Sequence, residues 1–302
     1  MNKVGLILTI VALLSASTAT ADSTDITKRR KTFVIAGNSV AYTASMAGLY
    51  QLWYKDYPLT KFHFHNDNAD WNQMDKVGHM YSCYYEGVVG IDQMKWAGFS
   101  RKKAIWLGGS YGFLIQTGIE VFDGFSQEWG ASSGDILANF AGTGLVIGQA
   151  LAWDEQRIWM KVSFQETSYS NIRPELLGSN FLEHVFKDYN GQTYWLSGNI
   201  KSFLPEESKF PSWLNISIGY GIDGFVGAGD NLFIQNGKSF DYSNIPRSRQ
   251  WYFSPDIDLT RINVKSKALK ISLRLLNCLK FPLPGLQYDG QKRDISFNFI
   301  QF

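Results

Sequence analysis

Residues Trp153 to Gln165 read WDEQRIWMKVSFQ, and the change of period inside this stretch decides the fold. Up to Arg157 apolar residues come in runs of helical length. From Ile158 onward, Ile158, Met160, Val162 and Phe164 alternate with Trp159, Lys161, Ser163 and Gln165. Alternation of this kind predicts a strand with two unlike faces. The pattern returns where Leu214, Ile216, Ile218, Tyr220 and Ile222 alternate with Asn215, Ser217, Gly219 and Gly221. Trp251, Phe253, Ile257 and Leu259 share a face, and Ile295, Phe297 and Phe299 form a last one. Leu269, Ile271, Leu273 and Leu275 read as a further strand by the same rule. Turns such as NGQ, QNGK and YDGQ separate the runs, so residues 158–302 are expected to form an antiparallel β-meander.

Residues 22–157 carry the helical period. Ala104–Phe122 and Ile136–Trp153 are apolar runs nearly long enough to cross a bilayer. Small residues recur at spacing four, as Ala104, Gly108 and Gly112 and again as Gly134, Ala138 and Gly142. That spacing lets helix backbones approach closely, as in membrane helix packing; internal helices of a soluble bundle are the alternative. The fold class is therefore α+β, with apolar, glycine-rich helices first and the sheet after them. A short helix between Pro174 and Lys187 is expected to link the halves.

The start of the chain, MNKVGLILTIVALLSASTATA, has a basic residue, a short apolar run and a small-residue end. Residues 1–21 are thus expected to be a secretory signal, cleaved before Asp22. No cysteine lies near that point, so an N-terminal lipid anchor is not expected. Net charge is +2, and no basic stripe interleaves with aromatics, which argues against a nucleic-acid partner. Cys83 and Cys278 are read as free thiols. Aromatic residues make up 15% of the chain, a content that suits membrane-facing strands and interfacial belts. The terminal Phe302 resembles the assembly signal of outer-membrane barrels, although it falls on the face of Ser296, Asn298 and Ile300. About six strands are legible, fewer than the roughly eight of a closed single-chain barrel. The sheet is expected to be open or barrel-like, in or against the outer membrane, with the periplasm as the alternative location.

Within the helical part, MDKVGHMY places Asp75 and His79 one turn apart on one face. Gln116, Glu120 and Asp123 follow at spacings four and three, and Asp135 and Asn139 at spacing four. Caps explain Asp75 and Asp135, which open their helices, but not His79, Glu120 or Asn139 further in. Isolated ionisable groups are unfavourable in such surroundings, so Asp75, His79, Glu120, Asp123, Asp135 and Asn139 are the candidate polar site. Lys76, about 100° away around the helix, is expected to reach the surface or a different carboxylate.

DKVGHMYSCYY and EVFDGFSQEWGASSGDILANFAG together resemble the YfiM-like family of uncharacterised bacterial cell-envelope proteins. RPELLGSNFLEHVFKDYNGQTYWLS resembles its longer Bacteroidetes-type members. More distantly, Asp75, Lys76, His79, Glu120, Asp135 and Asn139 are similar to a motif of VanZ-like membrane proteins. Neither resemblance implies a chemistry, and cofactors stay unassigned. No H-E-x-x-H signature occurs, so no metal ligand is assigned; His63 and His65 read as exposed loop histidines. No G-x-S-x-G accompanies Ser132 and Ser133 either. Two readings follow. One is a non-enzymatic outer-membrane-associated protein whose polar cluster fixes helix packing or binds an amphiphile, with membrane lipid or an envelope protein as partner. The other is an enzyme acting on a lipid-linked or phosphorylated envelope substrate through His79, Asp75, Glu120 and Asp135.

Overall fold

The computed structural model describes residues 23–55, 57–235 and 237–301. The expected signal segment, residues 1–21, and the terminal Phe302 lie outside the described residues. Helices come first: α1 (Ser23–Leu49), α2 (Met74–Trp96), α3 (Tyr111–Phe125) and α4 (Ser133–Trp153). The expected continuous helix Ala104–Phe122 is instead divided. A π-helical segment, Ala104–Gly108, leads to a turn at Ser110 before α3 begins. Among the described residues α4 is long and apolar enough to cross a membrane, judged by length and composition.

Strand β1 (Ile158–Phe164) starts where the period changes. The linking segment holds two short helices, α5 (Pro174–Leu177) and α6 (Phe181–Lys187), rather than one. They part at Gly178, whose φ of 103° is outside the range an L side chain adopts easily. Then follow β2 (Gln192–Asn199), β3 (Leu214–Asp223), the small hairpin β4 (Leu232–Gln235) and β5 (Lys238–Asp241), and β6 (Ser248–Ile257). Helix α7 (Lys267–Leu276) precedes β7 (Leu283–Asp289) and β8 (Asp294–Gln301). The main sheet is six-stranded and antiparallel in the order β1-β2-β3-β6-β7-β8, a meander interrupted by the separate hairpin. It is not a closed barrel.

Leu269–Leu275 is therefore helix and not strand. Its leucines alternate, but Lys267, Lys270, Arg274 and Asn277 recur at spacings three, four and three, which is one side of a helix. Ser266 supplies the cap by accepting from the Leu269 N–H. Arg274 pairs with Asp92 on α2, and Leu269, Ile271, Leu275 and Leu276 are left exposed.

The pairing register sorts the sheet into two faces. Leu196, Ile218, Phe253, Leu286 and Phe297 lie side by side across five strands, each between 45 and 58% exposed. A parallel row runs Tyr194, Tyr220, Trp251, Tyr288 and Ile295. The opposite face carries the rows Ser197–Ser217–Ser254 and Asn199–Asn215–Asp256, all buried. In these rows polar side chains are inside and apolar ones outside; Trp159 and Trp195 are also buried on the inner face, and Met160 and Tyr194 of the outer face pack against the helices.

This arrangement requires curvature. In a flat sheet β1 and β6 would be about 14 Å apart, three strand spacings. Yet Lys161 Nζ on β1 lies 2.7 Å from Asp256 Oδ2 on β6. The sheet curls over its polar face, and the Cys278–Lys280 segment bridges to the outer edge of β1. There the Val162 N–H donates to Cys278 O and the Lys280 N–H to Val162 O, both at 2.9 Å.

The helices and the sheet share a core. Tyr84, Val88 and Ile91 of α2 and Val146, Ile147 and Ala150 of α4 pack with Trp159 and Met160 of β1. Met74 packs with Ile222 and Phe225, flanked by Tyr194 and Tyr220.

Candidate functional site

Three helices meet at the start of α2 because small residues remove the atoms that would separate them. A Cβ added at Gly112 of α3 would lie 2.4 Å from the Cys83 backbone, and one at Gly142 of α4 2.1 Å from Met80 O. Such close approach brings the polar residues of α3 and α4 against the first two turns of α2.

The sheet fixes where α2 begins. Trp71, Asn72 and Gln73, directly before it, have φ of 47°, 46° and 65°. Left-handed backbone at a non-glycine residue is unfavourable by about 1–2 kcal/mol each, so it must be held from outside. The Trp71 N–H donates to Ala228 O at 3.0 Å, Tyr220 Oη to Asn72 O at 2.5 Å, and Arg249 to Gln73 Oε1 at 2.7 Å. Tyr220 and Arg249 of the sheet and Ala228 of the β3–β4 loop therefore aim the first turn of α2.

Ser132, the N-cap of α4, ties the carboxylates together. Its Oγ accepts from the Asp135 N–H at 3.1 Å and donates to Asp67 Oδ1 at 2.6 Å. Its N–H donates to Glu120 Oε2 at 2.8 Å. Lys76 fills the space between the aspartates, with Nζ 2.6 Å from Asp67 Oδ1, 2.8 Å from Asp75 Oδ2 and 3.2 Å from Asp135 Oδ1. Lys76 is buried, so it belongs to the site and does not reach the surface. Burial alone would lower its pKa, but the hydrogen bonds it donates to Asp67 and Asp75 outweigh this and raise it.

One turn on, His79 Nδ1 lies 3.0 Å from Asn139 Oδ1, and its Nε2 3.5 Å from Glu120 Oε1. His79, Glu120 and Asp135 each offer a ligand atom within 4.8 Å of the others. Burial dominates the electrostatics. It lowers the His79 pKa and pushes Glu120 up to about 8 and Asp75 and Asp135 up to about 6. Glu120 Oε1, Asp75 Oδ1 and Asn139 Nδ2 are buried without a hydrogen-bond partner, while Asp135 Oδ1 has only its ion pair with Lys76.

The structure thus brings together Asp75, His79, Glu120, Asp135 and Asn139. Asp123 is turned aside: its Oδ1 accepts from Tyr54 Oη at 2.7 Å, and burial pushes its pKa up to about 7. Sequence reasoning missed Asp67, Ser132 and the central part played by Lys76. It also missed Glu86, which receives a hydrogen bond from Gln116 at 3.1 Å. Glu86 is seven residues beyond His79, two turns along the same face, and that spacing was available to read. His63 and His65 lie in a loop that pairs with Ala131, and His63 Nε2 meets Trp129 O at 2.9 Å. Cys83 and Cys278 are free thiols.

Fold and site define an α+β protein whose helices enclose a carboxylate–lysine–histidine cluster and whose curled sheet turns its apolar face outward. Residues 63–149, which contain Asp67, Asp75, Lys76, His79, Glu120, Asp135 and Asn139, match the family described as "Predicted periplasmic lipoprotein (DUF2279)". That description fits an exported cell-envelope protein of unknown activity and carries neither the YfiM nor the VanZ name. No curated protein and no solved structure matches the chain.

Proposed function

We propose that this is an outer-membrane-associated envelope protein that rests its sheet against lipid, while its polar cluster fixes the packing of three helices. The row Leu196–Ile218–Phe253–Leu286–Phe297 carries this reading. Contiguous exposed apolar surface of this kind is rare on a soluble monomer and marks an interaction or lipid surface. In the neighbouring row Trp251 and Tyr288 are exposed and have the chemistry of an interfacial aromatic belt, while Tyr194 and Tyr220 pack against the start of α2. Helix α7 adds an amphipathic surface, with leucines outward and Lys267 and Lys270 beside them. The YfiM-like likeness, and the more distant VanZ-like one, belong to the same reading.

Fractionation of cell envelopes tests it. The protein is expected with the outer membrane, and recovery in the soluble periplasm after gentle lysis would overturn the assignment. A triple variant, Ile218→Asn, Phe253→Asn and Phe297→Asn, is expected to lose most association with phospholipid vesicles in flotation while keeping its helical circular dichroism. The enzyme alternative predicts something different for His79→Ala: a lost phenotype at unchanged abundance and thermal stability.

A further inference from the structure

We propose that His79 Nε2, Glu120 Oε1 and a carboxylate oxygen of Asp135 form a binding site for a divalent transition-metal cation of the zinc or manganese type. The proposal does not depend on membrane association.

The hydrogen bonds around His79 set its protonation. Asn139 Oδ1 is an acceptor, so His79 Nδ1, 3.0 Å away, must carry the proton. The Cys83 thiol also donates to that oxygen, at 3.4 Å, which keeps the amide in this orientation. The lone pair of Nε2 then faces Glu120 Oε1 at 3.5 Å. Two acceptors face each other with no donor between them, and Glu120 is 2% exposed, so bulk water does not reach its carboxylate. Either a proton or a cation must lie in that gap.

Geometry favours the cation. Two ligands at metal bonds of about 2.0–2.2 Å in tetrahedral geometry are about 3.4 Å apart. The His79–Glu120 pair is already at that separation, and Asp135 is within 4.8 Å of both ligand atoms. Asn139 acts as the orienting group that metal-bound histidines ordinarily have on their second nitrogen. The charge balance points the same way. Asp67, Asp75, Asp135 and Glu120 surround one ammonium, Lys76, whose contacts are to the three aspartates and not to Glu120. A mixed imidazole and carboxylate set suits zinc, manganese or ferrous iron rather than calcium or magnesium. Side-chain exposure of 17% at His79 gives the ion a way in.

The test uses the full-length protein purified in detergent, stripped with EDTA, dialysed against Zn²⁺ or Mn²⁺ and assayed for bound metal. The wild type is expected to hold close to a single equivalent. His79→Ala and Glu120→Gln are expected to bind at least about 10-fold more weakly, and Asn139→Ala, a positioning change, about 10–100-fold more weakly. The loop double variant His63→Ala with His65→Ala is expected to bind as the wild type does. Glu120→Gln is nearly isosteric, so its metal-free melting temperature shows that the fold persists should His79→Ala fail to fold. No retained metal in the wild type would mean that a proton bridges Glu120 and His79, and would overturn the proposal. Wild-type binding by Glu120→Gln, or loss only in the loop variant, would overturn it equally.

Discussion

The molecule buries two polar clusters, and they are finished to different degrees. Inside the sheet, Asp256 Oδ2 meets Lys161 Nζ at 2.7 Å and Ser197 Oγ at 2.6 Å, while its Oδ1 accepts from the Phe281 N–H at 3.1 Å. Asn199, Asn215 and Ser197 continue the chain of bonds, at 2.7 and 3.0 Å. None of these side chains leaves a buried atom unpartnered. Among the helices, Asp75, Glu120 and Asn139 each leave one. A completed network has no vacancy for a ligand and serves the fold. An incomplete one holds coordination capacity that the fold does not use.

Breaking the completed network should have the largest effect. Asp256→Ala leaves the Lys161 ammonium, 0% exposed, without its counter-charge, and is expected to destabilise the protein by about 3–5 kcal/mol in denaturant titration. The matching operation among the helices, Glu120→Gln in metal-free protein, replaces a carboxyl whose neutral form burial already favours and should change stability by about 1 kcal/mol or less. Equal losses in the two variants would erase the distinction between the clusters.

Next in size is Gly112→Ala, which forces α3 from α2 because a Cβ there meets the Cys83 backbone at 2.4 Å. A loss of about 1–3 kcal/mol is expected in thermal melts, together with weakened metal binding.

The pH dependence of the two regions should have opposite signs. Burial pushes Glu86 on α2 up to about 8 and depresses Lys280, beside the sheet network, to about 8. Between the usual glutamate pKa of 4.5 and 8 the folded state holds a proton on Glu86 that the unfolded state has released. Stability therefore falls as pH rises through that window. Between 8 and the usual lysine value of 10.5 the unfolded state holds the extra proton, on Lys280, so stability rises with pH there. Glu120, Asp123, Asp75 and Asp135 add to the same acid-side slope, so Glu86→Gln should reduce it without abolishing it and leave the alkaline one unchanged, as read from melting temperatures across pH. The smallest effect belongs to His65→Ala: an exposed loop residue, expected to shift stability by about 0.5 kcal/mol or less.

How far the sequence reached follows from the range of the interactions involved. Alternation at Asn215, Ser217 and Gly219 against Ile216 and Ile218 was legible because strand faces are a local property. Alternation alone left open which face would be buried; the Lys161–Asp256 contact decides that, and it joins strands distant in sequence. Leu269–Leu275 was misread because its leucines fit period two while its charges fit the helix, and only the Ser266 cap breaks the tie. His79, Glu120 and Asn139 stood out as polar residues within apolar helices. Asp67 did not, since it lies in a polar loop where an aspartate is unremarkable until the chain path takes it to Lys76. Lys76 itself was placed by its Cα direction, whereas its four-carbon stem let the ammonium swing back to Asp75.

The bridge between Val162 and the Cys278–Lys280 segment sets a schedule for assembly. The first strand pairs with β2 early, but its other edge stays open until the chain has been delivered almost to its end. Contacts between residues so distant in sequence form slowly, because closing the long intervening loop comes first. During that interval β1 offers a free edge and the sheet's polar face is still uncovered. A chain cut short before Cys278 would keep that open edge permanently and be the form most prone to pair with another copy of itself.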